Sequence, residues 1–212
     1  MTQTSQRIIR RRQPIAIVRL DDLSEAIPLS EALCEGGINA LEFTFTNAQA
    51  PQAIAQVRRA MGEHAIVGAG TVLDAQHAKI AIEAGAQFLV TPALLTEVIH
   101  SARRHQVPVI CGAFSPTEIL AAWREGADFV KVFPAGRLGP GYLKDVLAPL
   151  PDILLVPTGG VSLENCAAFL AAGAYTVAIG SQLVDRDLVR KKNWAALTSL
   201  ARQYVTACSI SL

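Results

Sequence analysis

A single lysine stands in the middle of an apolar run. Residues 128–133 read DFVKVF, so that Lys131 has valine and phenylalanine on both sides. Side chains alternate between the two faces of a strand, and Lys131 therefore shares one face with Phe129 and Phe133. Burial on that face would disfavour the ammonium form and lower the pKa of the lysine. A neutral amine held in this way can attack a carbonyl carbon and form a Schiff base.

A glutamate occupies a comparable position in a second apolar run. The sequence ALEFTF (40–45) alternates so that Glu42 shares a face with Thr44 and Thr46, while two phenylalanines take the other face. Schiff-base chemistry requires a group that moves protons, and a partly buried glutamate with a raised pKa is suited to this task. The alternative is a buried lysine–glutamate ion pair without a chemical role, which is costly to desolvate and stabilises weakly. We interpret Lys131 and Glu42 as a catalytic pair.

Two glycine-bearing segments late in the chain are candidates for binding an anion. One reads VPTGGVSLEN and the other AIGS, and both come at the end of an apolar run. Glycines let backbone N–H groups approach an anion, and the N-terminus of a following helix adds its positive dipole. Loop glycines more often only form turns, but two such segments after the last two strands are typical of a phosphate site. The candidates are Gly159, Gly160, Gly180 and Ser181.

Eight short apolar runs supply the strands that must position these residues. They cover residues 15–20, 40–45, 65–70, 87–92, 107–112, 128–133, 153–158 and 175–180. Between them lie stretches with a helical period, such as Ala50, Ile54, Val57 and Met61. This alternation, with no separate β-rich block, predicts a compact α/β fold, a closed (β/α)₈ TIM barrel rather than a doubly wound sheet. Such barrels place their active sites at the carboxyl ends of the strands, where the candidate residues fall.

The composition limits the protein to a few classes. A chain of 212 residues with 51% hydrophobic content predicts a single domain over residues 1–212. Its 19 basic and 18 acidic residues give a net charge of +1, which favours a small-molecule substrate and indicates neither a nucleic acid nor a membrane partner. The basic run RIIRRR (7–12) is interpreted as the solvated face of an N-terminal helix. No signal-peptide pattern and no apolar stretch of roughly 18 residues is present, so we expect a cytoplasmic protein.

Cysteines and histidines give no indication of a metal site. The four cysteines lie far apart and form no CxxC pair, and none of the four histidines has a neighbour at ligand spacing. We expect buried, reduced cysteines and no bound metal.

Eight motifs, taken in order, resemble those of one known family. The chain is similar to the class I aldolases that cleave 2-keto-3-deoxy-6-phosphogluconate, which are often also active on 4-hydroxy-2-oxoglutarate. The resemblance extends over nearly the whole chain, and the ordered set is highly specific although GAGT or TGG alone would not be. The motifs, one for each strand in turn, are IVRL, EGGINALEFTFTN, GAGTV, VTPAL, GAFSPTEI, VKVFPA, PTGGV and IGSQLV.

The resemblance implies a lysine-dependent retro-aldol cleavage. Lys131 would form an imine with the 2-keto carbon of a phosphorylated keto acid, and the imine would accept electrons as the C3–C4 bond breaks. The products would be pyruvate and glyceraldehyde 3-phosphate. Glu42 would be the general acid/base, working partly through a water. The same resemblance implies a homotrimer that needs no metal and no cofactor.

Substrate contacts are also implied by the resemblance. Thr71, Pro92 and Phe133 would line the pyruvyl pocket, and Thr158 would lie beside the imine. The phosphate would be held by Gly159, Gly160, Gly180 and Ser181.

One position departs from the family pattern. Many members carry an arginine four residues after the glutamate to bind the substrate carboxylate, whereas this chain has Thr46 there. A hydroxyl cannot replace the bidentate fork of a guanidinium. We expect Arg19, at the end of the first strand, to take over this contact, and the preferred substrate, including its C4 epimer, stays open.

Two other functions are compatible with the same residues. An isomerase or decarboxylase of the phosphate-binding barrel type would keep the glycine loops and use Glu42 and Lys131 as base and acid, without a covalent intermediate. A non-catalytic barrel would bind a sugar phosphate and perform no reaction.

Overall fold

The computed structural model describes residues 8–209, and their secondary structure alternates as the sequence predicts. Within this range the strands are β1 (Ile15–Val18), β2 (Ala40–Thr44), β3 (Ile66–Gly70), β4 (Leu89–Val90), β5 (Val109–Ala113), β6 (Phe129–Val132), β7 (Leu155–Pro157) and β8 (Ala178–Ile179). The α-helices are α1 (Ala26–Glu35), α2 (Ala50–Met61), α3 (Ala75–Glu83), α4 (Thr96–Arg104), α5 (Pro116–Glu125), α6 (Ala135–Leu147), α7 (Cys166–Ala171), α8 (Arg186–Arg190) and α9 (Trp194–Ser209). A short 3₁₀ helix, Gly62–His64, follows α2 directly. One helix follows each of the first seven strands, and α8 and α9 both follow β8.

All eight strands join one parallel sheet that closes on itself. The strand order is β7-β6-β5-β4-β3-β2-β1-β8. A single parallel bridge between Thr158 and Ala178 joins the two ends of this sheet. Tyr175 adds a hydrogen bond at the same seam, its backbone N–H donating to the Leu155 carbonyl at 2.8 Å. The predicted (β/α)₈ barrel is therefore confirmed.

Two apolar clusters separate the inside of the barrel from the layer beneath the helices. The inner cluster contains alternate residues of the strands, with Phe129 among them. Val130 and Val132, its neighbours in β6, belong to the larger cluster that also contains the buried helix residues. Because the side chains alternate in this way, the face that Phe129 shares with Lys131 points into the barrel.

The N-terminal end of the described chain packs against the inner cluster. Ile9 is buried in that cluster, and its carbonyl accepts a hydrogen bond from the Tyr175 hydroxyl at 3.0 Å. Arg10 and Arg11 are exposed. The basic run predicted as a helix face covers residues 7–12, and Arg7 lies outside the described residues. Of the described part only Ile8 is helical, and residues 9–12 form a bend and a turn, so the helix does not extend along the run. No helix between residues 8 and 209 is both long enough and apolar enough to cross a membrane.

Candidate active site

Lys131 lies in the middle of β6 with its side chain inside the barrel. It is only 5% exposed, and in the strand register it pairs with Gly112 on β5 and Val156 on β7. The Nζ atom is 5.1 Å from the centroid of the Phe133 ring. An amine at this distance from an aromatic face gains a cation–π attraction when it is protonated. The prediction that a lysine is buried in a strand is borne out.

Glu42 lies on β2 and is 2% exposed. Its strand neighbours in register are Ile17 on β1 and Gly68 on β3. Gly70, at the end of β3, allows the carboxylate to lie where it does, because a Cβ at that position would overlap the Glu42 carboxylate. The position of the carboxylate therefore depends on a glycine in the neighbouring strand.

Burial shifts the two groups in opposite directions. Burial lowers the pKa of Lys131, while the Glu42 charge raises it and the Arg19 charge lowers it. Burial raises the pKa of Glu42, while the charges of Lys131 and Arg19 lower it. Both pKa values are thereby shifted from their ordinary values in the direction of neutral pH. Shifts of this kind are typical of groups that exchange protons in an active site.

Lys131 and Glu42 do not form an ion pair. Among the described ion pairs, whose N···O distances are 4.0 Å or less, none joins Lys131 to Glu42. A lysine buried only to satisfy its charge is expected to contact its carboxylate directly, since desolvated charges are stable only when paired. The separation disfavours the purely structural explanation for Lys131.

A cavity of about 380 Å³ opens above Lys131 at the carboxyl ends of four neighbouring strands. Its lining residues come from β6, β7, β8 and β1 and from the loops that follow these strands. They are Ile17, Arg19, Lys131, Phe133, Thr158, Gly159, Gly160, Val161, Gly180, Ser181, Gln182, Val184 and Arg186. Eight of the residues singled out in the sequence are brought together here.

The glycine segment after β7 adopts a backbone that other residues rarely take. Gly159 and Gly160 have φ values of 81° and 77°. A Cβ at Gly160 would lie 2.9 Å from the Cα of Gly136 in the first turn of α6, which is too close for a side chain. Gly180 has no heavy atom within 4 Å of where its Cβ would be, so open space lies beside that backbone. Gly159 and Gly160 therefore allow close packing against Phe133 and Gly136, whereas Gly180 leaves room beside its backbone for a ligand group.

Three predicted site residues lie at the same end of the barrel but do not line this cavity: Glu42, Thr71 and Pro92. Thr71 directly follows β3 and has a φ of 55°, an unusual value for a threonine. The backbone of Pro92 crosses Gly112 so closely that a Cβ on Gly112 would overlap it. Since Gly112 is paired with Lys131, Pro92 lies on the β4–β5 side of the lysine.

Arg19 and Thr46 differ in their access to the cavity. Arg19 lines it, and its charge acts on both Lys131 and Glu42. Thr46 is exposed, and its hydroxyl lies 2.8 Å from that of Thr44. Arg19 therefore lies among the residues around the cavity, whereas Thr46 does not.

Arg186 and Gln182 line the cavity, although the sequence gave no reason to select them. Both follow β8, Gln182 in the connecting loop and Arg186 at the first position of α8, and the path of this segment over the barrel does not follow from local periodicity. A charged residue soon after the glycine-bearing end of β8 was the only available signal for Arg186. The dependence of the Glu42 position on Gly70 could not be predicted from the sequence either, because it depends on the register between β2 and β3.

A parallel barrel with a lone buried amine at the carboxyl ends of its strands defines a class of enzymes that react with carbonyl compounds through a lysine. The family model described as "KDPG and KHG aldolase" matches residues 6–200. The chain belongs to this aldolase family.

Individual relatives give the same result. The 2-dehydro-3-deoxy-phosphogluconate aldolase of Pseudomonas aeruginosa is 37% identical over 199 residues, which is 92% of this chain and 89% of the relative. The 2-dehydro-3-deoxy-6-phosphogalactonate aldolase of Escherichia coli is 36% identical over 80% of this chain and 83% of the relative. The solved structure of the Legionella pneumophila KDPG aldolase, with pyruvate captured as a covalent carbinolamine, superposes with a TM-score of 0.87 at 28% identity, covering 95% of this chain and 97% of that one.

Proposed function

We propose that the protein is a class I aldolase that cleaves 2-keto-3-deoxy-6-phosphogluconate, or its galactonate epimer, to pyruvate and glyceraldehyde 3-phosphate. The observation that carries this proposal is the buried Lys131 amine, whose pKa is lowered mainly by burial and which lies below a cavity rich in bare backbone. Membership of the aldolase family supports it. A covalent pyruvate intermediate, captured in the Legionella relative, supports the imine step.

The reaction begins at the amine of Lys131. The neutral amine attacks the C2 carbonyl carbon, and the resulting carbinolamine loses its oxygen as water to give a protonated imine. Removal of the C4 hydroxyl proton lets the C3–C4 bond break, and its electron pair moves into the imine to form an enamine. C4 leaves as the aldehyde of glyceraldehyde 3-phosphate. Protonation of the enamine at C3 and hydrolysis of the imine then release pyruvate and restore the amine.

Glu42 is the group we assign to the proton transfers. It takes a proton from the C4 hydroxyl and returns protons during carbinolamine formation and breakdown, partly through a water. Burial raises the pKa of this carboxyl, which makes it a better proton acceptor than an ordinary glutamate and suits it to accept and return protons in turn.

The remaining candidates bind the two ends of the substrate. Arg19 holds the substrate carboxylate in place of the arginine that Thr46 replaces, because its guanidinium lines the cavity and acts on the catalytic pair. Thr71, Pro92, Phe133 and Thr158 surround the pyruvyl carbons, and Gly159, Gly160, Gly180 and Ser181 bind the phosphate.

We further propose that the enzyme is a cytoplasmic homotrimer. Within the described residues the cysteines are free, and Cys111, Cys166 and Cys208 are buried, which fits a reducing compartment. Two large apolar side chains, Leu73 and Phe114, are exposed at 45% and 47% and offer contact surface for another subunit.

Reductive trapping tests the covalent step. Incubation with pyruvate and borohydride should attach a pyruvyl group to Lys131, located by peptide mass spectrometry, and Lys131→Met should show neither the adduct nor turnover. Lys144→Met, at an exposed lysine of α6, is the control. Turnover without any adduct would instead identify a non-covalent isomerase or decarboxylase. A coupled assay of pyruvate release from the two phosphorylated epimers and from 4-hydroxy-2-oxoglutarate then identifies the substrate.

A further inference from the structure

The cavity above Lys131 has a strongly uneven charge. Three of its lining residues are basic, namely Arg19, Lys131 and Arg186, and the residues that line this cavity include no aspartate or glutamate. An environment of this kind favours a substrate with more than one negative charge. Lys131 is reserved for chemistry, which leaves two arginines, one directly after β1 and one after β8.

The two arginines are placed differently relative to the reacting amine. Arg19 lines the same cavity as Lys131, and its charge acts on both Lys131 and Glu42, so Arg19 belongs to the surroundings of the reacting amine. Arg186 belongs to the segment after β8, together with Gly180 and Ser181. It therefore lies on the side of the cavity where bare glycine backbone leaves room for an anion.

Arg186 is held only weakly where it is. Its single ion pair is with Asp21, with 3.7 Å between Nη1 and Oδ2, and the two side chains are 62% and 93% exposed. Exposed pairs of this kind contribute little and are easily exchanged. A phosphate offers the same guanidinium a bidentate, charge-assisted contact, which is stronger.

We propose that Arg186 binds the phosphate of the substrate, exchanging Asp21 for it, and thereby sets the preference for phosphorylated over unphosphorylated keto acids. This inference rests on the proposed aldolase function. It assigns a specificity role to a side chain in addition to the glycine backbone, and it makes Asp21 a competitor for the same guanidinium.

The test compares Arg186→Gln with Arg190→Gln. Arg190 lies on the same short helix, is 75% exposed, pairs with Asp187 and does not line the cavity, so it is the matched control. For 2-keto-3-deoxy-6-phosphogluconate, Arg186→Gln should raise KM by roughly 10- to 100-fold, the loss expected for a hydrogen bond between charged groups. KM for unphosphorylated 2-keto-3-deoxygluconate should stay unchanged, and Arg190→Gln should alter neither.

Two further variants separate phosphate binding from a general effect of charge. Arg186→Lys keeps the charge but loses the bidentate geometry of the guanidinium, and should restore only part of the affinity for the phosphorylated substrate. Asp21→Asn frees the guanidinium and should lower KM for the phosphorylated substrate. An unchanged KM in Arg186→Gln, or an equal rise for both substrates, would overturn the proposal.

Two readouts keep this test separate from that of the aldolase function. Trapping of pyruvate on Lys131 needs no phosphate contact, so Arg186→Gln should form the adduct at the wild-type rate, which also shows that the variant is folded. Calorimetric titration with inorganic phosphate requires no turnover, and Arg186→Gln should bind it more weakly than Arg190→Gln does. If the wild type formed no adduct, the aldolase function would fail, whereas equal phosphate binding by the two variants would refute the role of Arg186 alone.

Discussion

Lys131 and Glu42 influence each other through charge as well as through chemistry. Each is buried inside the barrel, and each shifts the pKa of the other towards its ordinary value. Removing one charge must therefore leave the other group more perturbed. This coupling can be measured in the resting enzyme, without any substrate.

We predict that Glu42→Gln lowers the pKa of Lys131 further, because the Glu42 charge raises it in the wild type. The protein labelled with ¹³C at lysine Cε can be titrated by NMR, and loss of one signal in Lys131→Met assigns the resonance. Glu35→Gln, on the exposed surface of α1, is the control. A Lys131 pKa that rose in Glu42→Gln would contradict the electrostatic description of the pair.

The perturbed lysine also makes stability depend on pH. Burial lowers the pKa of Lys131 in the folded state, so the folded protein binds fewer protons than the unfolded chain between this pKa and that of an ordinary lysine. Stability from this group therefore rises with pH through that window and is lost as the pH falls, with a slope of at most about 1.4 kcal/mol per pH unit.

Lys131→Met should remove this slope. Urea unfolding above neutral pH measures the free energy of unfolding of both proteins. The value for the variant relative to the wild type should decrease as the pH rises, since only the wild type gains stability there. Lys144→Met serves as the control for loss of a lysine. A difference that stays constant with pH would show that Lys131 is not desolvated in the folded protein.

The strands fix the positions of the site residues, and Gly70 on β3 is an example. The alanine methyl of Gly70→Ala would overlap the Glu42 carboxylate, so the glutamate must move. We predict a fall in kcat of roughly 100-fold or more, since displacements of about 1 Å in an active site have such effects. Gly141→Ala, in α6, meets no atom within 4 Å and should retain full activity. Wild-type turnover in a folded Gly70→Ala protein would mean that the Glu42 position is not critical.

Strand positions and facing could be predicted from the sequence because both follow from a local period. The run DFVKVF alone places Lys131 opposite Val130 and Val132, and the structure has them on opposite faces. The sequence predicts strands that are too long where a neighbouring strand pairs with only part of the apolar run. In β8, for example, pairing covers only Ala178–Ile179 of the predicted 175–180. The contact of Pro92 with Gly112 and the position of Arg186 depend on residues that only the closed barrel brings together.

At the scale of the whole molecule, the cavity lies at the seam where the two ends of the sheet, β7 and β8, meet. One bridge, Thr158 to Ala178, joins β7 to β8, whereas four residue pairs join β5 to β6. The glycine segments follow these same two strands and line the cavity. The chain's net charge of +1 gives no indication that three basic side chains line this cavity, because the net charge is a sum over the whole chain.

The proposed trimer predicts that the exposed apolar side chains at the carboxyl ends of β3 and β5 are covered by a neighbouring subunit. Light scattering after size-exclusion chromatography should give a mass about three times the 22.6 kDa of one chain. Phe114→Lys places a charge in the predicted contact and should shift the mass towards that of a monomer, because an unpaired buried charge is costly. Gln56→Lys adds the same charge at an exposed position of α2 and should remain trimeric. A wild-type monomer would exclude the trimer, and a trimeric Phe114→Lys would place the contact elsewhere on the barrel.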